Sequence, residues 1–359
     1  MDWKAKKLIM SKNQITFFNS HIHLGGSLFE DISQENMSLI DFIKFSDFWN
    51  DKLKEKNQDK IAWNLAARYS VLKSKKFGVS KICTMLGTEI LKKEGMRGSL
   101  VGYPVMNSNK LSSYLQNLEE KYESFRTDVL KQGLKPGIFF HSLYANDQQT
   151  LITVGKILQK YNDDFFQIHV AEDEETINKT IQKYHMSPIS VLEKFGLLNE
   201  RTMIVHGCLL DDGDLKKIAK NKAKVIICPE SNLRVGQVPL NPEVLNKFGV
   251  SWFVATDGLG TGGTLNLQQQ AKTLKKLFKN VSYQDLLRSI TQNPLNNSFD
   301  ERVFQNQEIA KNLIENCESQ LYNKFGLKNL LKLKIVSKKL KKFKPILKDF
   351  YKWKGENYD

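Results

Sequence analysis

Eight short apolar runs, rich in β-branched and aromatic residues, recur along this 359-residue chain. In order they are "ITFFNSHIH" (15–23), "VSKICTM" (79–85), "MRGSLVG" (96–102), "GIFFHSL" (137–143), "FFQIHVAE" (165–172), "TMIVHG" (202–207), "KVIICP" (224–229) and "SWFVATD" (251–257). Runs this short and this continuously apolar are the pattern of strands buried on both faces. Most gaps between them carry helical periodicity. Leu111, Tyr114, Leu115, Leu118, Tyr122, Phe125 and Val129 fall at spacings of three and four and predict a helix over 111–129. "LNPEVLNKFG" (240–249) predicts a short helix stopped by Gly249, and "GTEILKKEG" a brief one between the second and third runs. The gap 24–78 has room for extra helices over a barrel end. Eight strands with intervening helices predict a (β/α)8 TIM barrel. An open doubly wound sheet is the alternative, but "LGGSL" after the first run is neither a dinucleotide fingerprint nor a P-loop.

Composition leaves that picture intact. The chain is 41% hydrophobic and 26% charged, enough to bury a large core. No apolar run is long enough for a membrane span. "MDWKAKKLIMSKNQ" lacks the apolar stretch of a signal peptide. The four cysteines form no CxxC pair, so a reducing, cytoplasmic setting is expected. The net charge of +15 comes mostly from lysines. Over the body of the chain they are scattered and read as solvated helix faces. In "LKNLLKLKIVSKKLKKFKPILKDFYKWKG" (327–355) they are dense and interleaved with Leu, Ile, Phe and Trp353. That spacing suits a helix capping the barrel or contacting a second copy in a homodimer, with lysines snorkelling outward. The competing reading, less favoured, is contact with nucleic acid or an anionic membrane. Pro345 would break one long helix. Two regions are expected: a hydrolase barrel over 1–326 and a basic segment over 327–359.

Barrel enzymes place their chemistry at the C-terminal ends of the strands. Five of the six histidines sit there: His21 and His23 after the first run, His141 after the fourth, His169 after the fifth and His206 after the sixth. Glu172 follows His169 and Asp257 ends the eighth run. His185 falls elsewhere and reads as a surface residue. Each has an ordinary structural explanation taken singly. A strand-end histidine is often just hydrogen-bonded, Asp257 could cap a helix, and Glu172 could open the solvated run "EDEE". Together they are a costly set of ionisable groups to desolvate at one rim. Three imidazoles and a carboxylate suit Zn²⁺, with a position left for a water whose pKa falls to about 7. Imidazole suits Fe²⁺ as well. Asp257 can touch the metal and take the water's proton. Glu172 can protonate the substrate, and His206 can orient the water or stabilise developing charge.

In order, "NSHIHL", "GMRG", "FFHSLYA", "HVAEDEE", "VHG", "CPESNLRVG" and "ATDG" resemble motifs of the amidohydrolase superfamily. The matching branch holds adenosine deaminase, the cytosine, guanine, S-adenosylhomocysteine and aminodeoxyfutalosine deaminases, and the triazine chlorohydrolases. The resemblance implies His21, His23, His169 and Asp257 as metal ligands. It implies Glu172 as proton donor, His206 as catalytic histidine, Asp257 also as general base, and His141 and Arg97 as substrate-binding residues. Gly25 and Gly258 stand where adenosine deaminases carry aspartates that read ribose and purine, so the resemblance leans to the chlorohydrolase-like side. "LGTGGTLNL" replaces that branch's usual serine–asparagine pair, and its usual β-sandwich is not expected. The expected activity is metal-dependent hydrolytic deamination of a small molecule: an aminated heteroaromatic base, nucleoside or nucleoside-derived metabolite. Removal of another leaving group from a ring, or opening of a cyclic amide, is the enzymatic alternative. A non-catalytic barrel with a nucleic-acid- or membrane-binding tail is the alternative of another class.

Overall fold

A computed structural model describes residues 16–30, 39–106, 117–296, 307–316 and 318–343. Eight strands form one sheet in chain order: β1 (Phe17–Ile22), β2 (Val79–Met85), β3 (Leu100–Val105), β4 (Lys135–Phe140), β5 (Phe165–Val170), β6 (Thr202–His206), β7 (Lys224–Ile227) and β8 (Ser251–Val254). Every neighbouring pair from β1 to β8 is parallel. The far edges meet through Asn19, whose amide donates to Thr256 Oγ1 at 2.7 Å and whose oxygen accepts from the Thr256 N–H. Asp257 N–H donates to His21 O at 3.2 Å, beyond that pair. The sheet is thus a nearly closed (β/α)8 barrel.

Strand alternation sorts the side chains into two cores. Phe18, Cys83, Leu100, Phe165, Met203, Ile226 and Phe253 pack together inside the barrel. Phe17, Ile22, Val79, Val101, Ile138, Phe166, Ile204 and Val254 pack outward against the helices. These helices carry apolar faces; Gln148–Lys160 buries Leu151, Val154, Ile157 and Leu158. Phe17 and Ile22 share the outer face although they are an odd number of residues apart. The register explains it: Asn19 pairs with Ile82 but Ile22 with Thr84, so β1 carries one extra residue. That bulge resets the alternation and lets His21 and His23 face inward beyond Phe18.

The gap after β1 holds helices Leu39–Glu55 and Asp59–Lys76. The described part of the helix expected over 111–129 is Leu118–Lys131; 107–116 lie outside the described residues. The expected helix over 240–249 is Pro242–Lys247, with Gly249 at φ 69° just beyond it. A long helix, Glu318–Leu340, begins ahead of residue 327 and docks on Asp59–Lys76. Val336 packs there on Leu72, with Leu65, Tyr69, Leu330 and Leu333 around them. Glu94, almost fully buried, ties the seam by accepting from Arg68 Nε at 3.0 Å and lying 3.5 Å from Lys332 Nζ. The outer side of this helix exposes Leu331 and Ile335. Pro345 and the rest of 344–359 lie outside the described residues. No described helix is long and apolar enough to cross a membrane.

Candidate active site

The C-terminal ends of β1, β5, β6 and β8 bring His21, His23, His169, His206, Glu172 and Asp257 together. Facing Nε2 atoms are 3.2 Å apart for His23 and His169, and 3.3 Å for His169 and His21. Asp257 Oδ1 lies 3.4 Å from His21 Nε2 and 3.5 Å from His23 Nε2. Among the described residues these three histidines form the group whose ligand atoms converge on one point. Four donors held tetrahedrally at about 2.0–2.1 Å from a centre would be separated by roughly 3.3–3.4 Å. The His23–His169, His169–His21 and the two histidine–Asp257 separations are close to that spacing, and the three histidine ligand atoms all lie within 4.8 Å of one another. Asp257 Oδ1 is buried and has no hydrogen-bond partner, an orphaned acceptor aimed at the imidazoles. The donor set therefore fits one divalent cation held by His21, His23, His169 and Asp257.

The backs of these groups are fixed by hydrogen bonds. His21 Nδ1 donates to Gln167 Oε1 at 2.9 Å, and Gln167 Nε2 donates to Ser20 O. His169 Nδ1 donates to His141 O at 2.8 Å. Both contacts leave the Nε2 lone pairs facing the centre. On Asp257, Oδ2 accepts from Ser231 Oγ at 2.7 Å and Thr261 Oγ1 at 2.6 Å, so Oδ1 alone is presented. His206 shares the strand parity of outward-facing Ile204. Its left-handed backbone, φ 72°, ends that alternation, and its ring stacks 5.4 Å from that of His169. Asp257 and Ala171 are also left-handed, at φ 55° and 50°. Such strain persists where the surroundings over-determine it, and it gathers at functional sites.

Electrostatics divide the two acids. Burial pushes the Glu172 carboxyl well above its usual range, and the Asp257 and Asp173 charges add to this. Burial alone would also raise Asp257. The close His21 imidazole, with those of His23 and His206, outweighs it and holds Asp257 well below its usual range. Glu172 thus holds its proton to higher pH than an ordinary carboxyl and Asp257 gives its proton up at lower pH, a separation that suits acid and base roles. Glu172 Oε2 lies 3.5 Å from His206 Nε2. Asn232 Nδ2 lies 3.0 Å from His206 Nδ1; an amide nitrogen only donates, so the His206 proton sits on Nε2.

Burial lowers His23 to about 3 and His141 and His206 to about 4. In the unfolded chain they titrate near 6.5. Above that, neither state binds the proton. Below it, the unfolded chain takes up protons that the folded one excludes, so stability falls with pH until about 4. Chelator-treated protein should melt at a constant temperature above about pH 7 and progressively lower between about pH 6.5 and 4.5. A melting temperature that holds or rises over that range would contradict the buried neutral imidazoles.

A cavity of about 600 Å³ opens over the site, and His23, His141, His169, Glu172, His206 and Asp257 line it. The apolar wall toward β1 and β2 includes Leu24, Leu28, Trp63, Met85 and Leu86. Arg97 is elsewhere. It is exposed in the turn before β3, at the N-terminal end of the barrel, and does not line the cavity. The reason is local: "GMRG" is a turn with Gly95 and Gly98 at positive φ, and the strand begins only at Leu100. His185 is exposed at a helix C-terminus. Ser231 and Asn232 belong to the "CPESNLRVG" motif, whose residues carried no expected role, and Gln167, Thr261 and Trp63 are site residues that the motifs did not single out. Gln167 carried a signal, since it lies two residues before His169 on one strand face.

Residues 15–296 match the family model described as the amidohydrolase family. The 5′-deoxyadenosine deaminase of Methanothrix thermoacetophila is 26% identical over 259 residues, covering 71% of this chain and 60% of that protein. The 5-methylthioadenosine/S-adenosylhomocysteine deaminase of Pyrococcus furiosus is 27% identical over 214 residues, covering 56% and 49%. The chain thus spans 60% and 49% of the lengths of these two relatives. Among solved structures, the aminofutalosine deaminase of Helicobacter pylori in complex with methylthio-coformycin superposes with a TM-score of 0.59 at 19% identity, covering 76% of this chain and 70% of that one. An atrazine chlorohydrolase variant of Arthrobacter aurescens complexed with zinc and atraton gives 0.68 at 15% identity, covering 76% and 68%. At these identities the structures share the fold.

Proposed function

Because the chain belongs to the amidohydrolase family, we propose that it is a metal-dependent hydrolytic deaminase of an aminated heteroaromatic base, nucleoside or nucleoside-derived metabolite. The observation that carries this reading is the placement of two carboxyls in one cavity: Glu172 3.5 Å from His206, and Asp257 with Oδ1 unbonded beside the His21 and His23 imidazoles, their acidities pushed in opposite directions. Zinc is the metal we assign, since a nitrogen-rich set of three imidazoles and a carboxylate suits it. When bound, the metal supplies a Lewis acid that brings the pKa of water to about 7.

The chain's own residues carry the proton traffic. Asp257 Oδ1 takes a proton from the water that adds to the amine-bearing ring carbon. Glu172 gives its proton to the adjacent ring nitrogen, which loses its double bond to that carbon. His206, proton on Nε2 and held by Asn232, donates to the oxygen gaining charge. The proton on Asp257 then passes to the leaving nitrogen. Ammonia departs as the carbon–oxygen double bond forms, the remaining hydroxyl proton passes to the Glu172 carboxylate and restores it, and the ring nitrogen keeps its hydrogen. His141 lines the cavity beside Glu172 and contacts the substrate. Ser231 and Thr261 keep Asp257 Oδ2 from rotating toward the reaction.

Purified protein screened for ammonia release against nucleobases, nucleosides and adenine thioethers should turn over at least one of them. It should carry about one metal per chain. A chelator should abolish release, and zinc should restore it. Release of chloride or an alcohol without ammonia would move the reading to hydrolysis of another ring substituent. A metal-replete protein that hydrolyses none of these would refute it.

A further inference from the structure

We propose that Trp63 reads the substrate: its indole N–H pairs with a hydrogen-bond acceptor on the heterocycle or its substituent, and its ring forms a flat wall beside it. This rests on the reading above, that the cavity holds an aminated heterocycle or nucleoside. Trp63 lies on helix Asp59–Lys76, which crosses over the end of β1. It is half-buried and lines the cavity. A Cβ added at Gly25, the second residue after His23, would lie 3.2 Å from Trp63 Nε1 and 3.4 Å from Cδ1. The N–H edge of the indole therefore occupies the space that a side chain at 25 would fill, next to a metal-ligand segment.

Two features give that edge a chemical meaning. The wall it belongs to is otherwise apolar, built from Leu24, Leu28, Met85 and Leu86. Leu86 is held at φ 58°, a left-handed conformation that a leucine rarely adopts, and its side chain lines the cavity. Trp63 Nε1 has no hydrogen-bond partner among the described residues, and it is a side-chain donor set among the hydrocarbon of Leu24, Leu28, Met85 and Leu86. An indole nitrogen donates and never accepts, and such a group in a largely apolar setting is normally paired. The partner must be an acceptor: a ring nitrogen, or an ether, thioether or hydroxyl group. A cationic or donor-only group there would meet an N–H and hydrocarbon. The structure thus assigns a neutral, acceptor-bearing edge to the part of the substrate that faces β1 and β2.

The test uses the full-length, metal-loaded protein and its Trp63→Phe and Trp63→Ala variants. Binding of adenosine and 5′-methylthioadenosine is measured by equilibrium dialysis with Glu172→Gln added to each protein so that the ligand is not consumed, with metal content and melting temperature on the same samples. Trp63→Phe keeps an aromatic wall and removes the donor. It should retain metal and melting temperature and bind the better ligand about fivefold to tenfold more weakly, the cost of one lost hydrogen bond. Trp63→Ala should weaken binding further. Analogues lacking one acceptor each (1-deaza, 3-deaza, 2′-deoxy, 3′-deoxy and 5′-deoxy) then locate the partner. One of them should bind the Trp63 and Trp63→Phe proteins alike. Equal affinity of the Trp63 protein and both variants would overturn the proposal. So would a Trp63→Phe penalty that no analogue removes, or one accompanied by loss of metal, since the indole would then be structural. A Trp63 protein that binds neither ligand, with wild type releasing no ammonia in the substrate screen, would overturn the function reading itself, a result distinct from any of these.

Discussion

Glu172→Gln is expected to keep its metal and lose turnover, while Asp257→Asn loses both. The two substitutions remove one charge or proton each with little change of shape, so their difference isolates role. Asp257 lies 3.4 Å and 3.5 Å from His21 and His23, whereas Glu172 is nearly fully buried and lies 3.5 Å from His206. Glutamine fills its place and cannot release a proton to a ring nitrogen. A positioned general acid contributes about 10²–10⁴-fold, so kcat should fall by that order with metal content unchanged. Asp257 brings the only carboxylate oxygen lying within 3.5 Å of both His21 Nε2 and His23 Nε2 among the described residues. Asparagine there keeps an oxygen but forfeits the charge that balances a dication, so metal affinity should fall with activity.

The pH profile separates the roles further. Glu172 has a raised value, so it is a competent donor below that value and incompetent above it. The wild-type rate should decline as pH rises through it, and this alkaline limb should vanish in Glu172→Gln. His206 is lowered to about 4, so it stays neutral from there upward and sets no limb near neutrality. Full turnover by Glu172→Gln, or an alkaline limb that survives the substitution, would show that another group supplies the proton.

The strand ends were readable because each functional group lies at or near the C-terminal end of an apolar run. β2 runs from Val79 to Met85, the span its pattern predicts. β3 does not. Its apolar run spans 96–102, yet the strand runs Leu100–Val105 and pairs Pro104 with Phe139. That displacement is why Arg97 reads as part of a strand when it belongs to the turn before it. The groups behind the site were not readable for a different reason. Gln167 meets His21 across 146 residues of sequence, and Asn19 meets Thr256 across 237. Trp63 sits on a helix whose existence the long gap allows, but whose rotation over the barrel end depends on packing. Local pattern reports which residues face the barrel axis. It does not report which of them touch once the barrel closes.

The two glycines after the histidine pair make the last expected result, since adjacent substitutions should behave oppositely. Gly26→Ala should lose most metal binding and turnover, and Gly25→Ala should keep its metal. A Cβ at Gly26 would lie 2.9 Å from Gly258 Cα and 2.9 Å from Leu259 N, both backbone atoms of the turn after Asp257. Backbone cannot rotate away, so the turn carrying Asp257 must move off the segment carrying His21 and His23. The same seam is tight from the other side, where a Cβ at Gly258 would meet His23 Cβ at 3.2 Å. Separating these segments opens the Asp257 Oδ1 contacts and strains the Asp257 N–H to His21 O bond. Displacement of a catalytic group by about 1 Å can cost 10²-fold, and overpacking a tight contact costs about 1–3 kcal/mol of stability. At Gly25 the new Cβ meets only the edge of Trp63, a side chain that can shift by a few tenths of an ångström. Metal content, ammonia release and melting temperature on the two variants would decide it. If Gly26→Ala matched wild type in all three, the close approach of the β1 and β8 turns would not be what assembles the metal site.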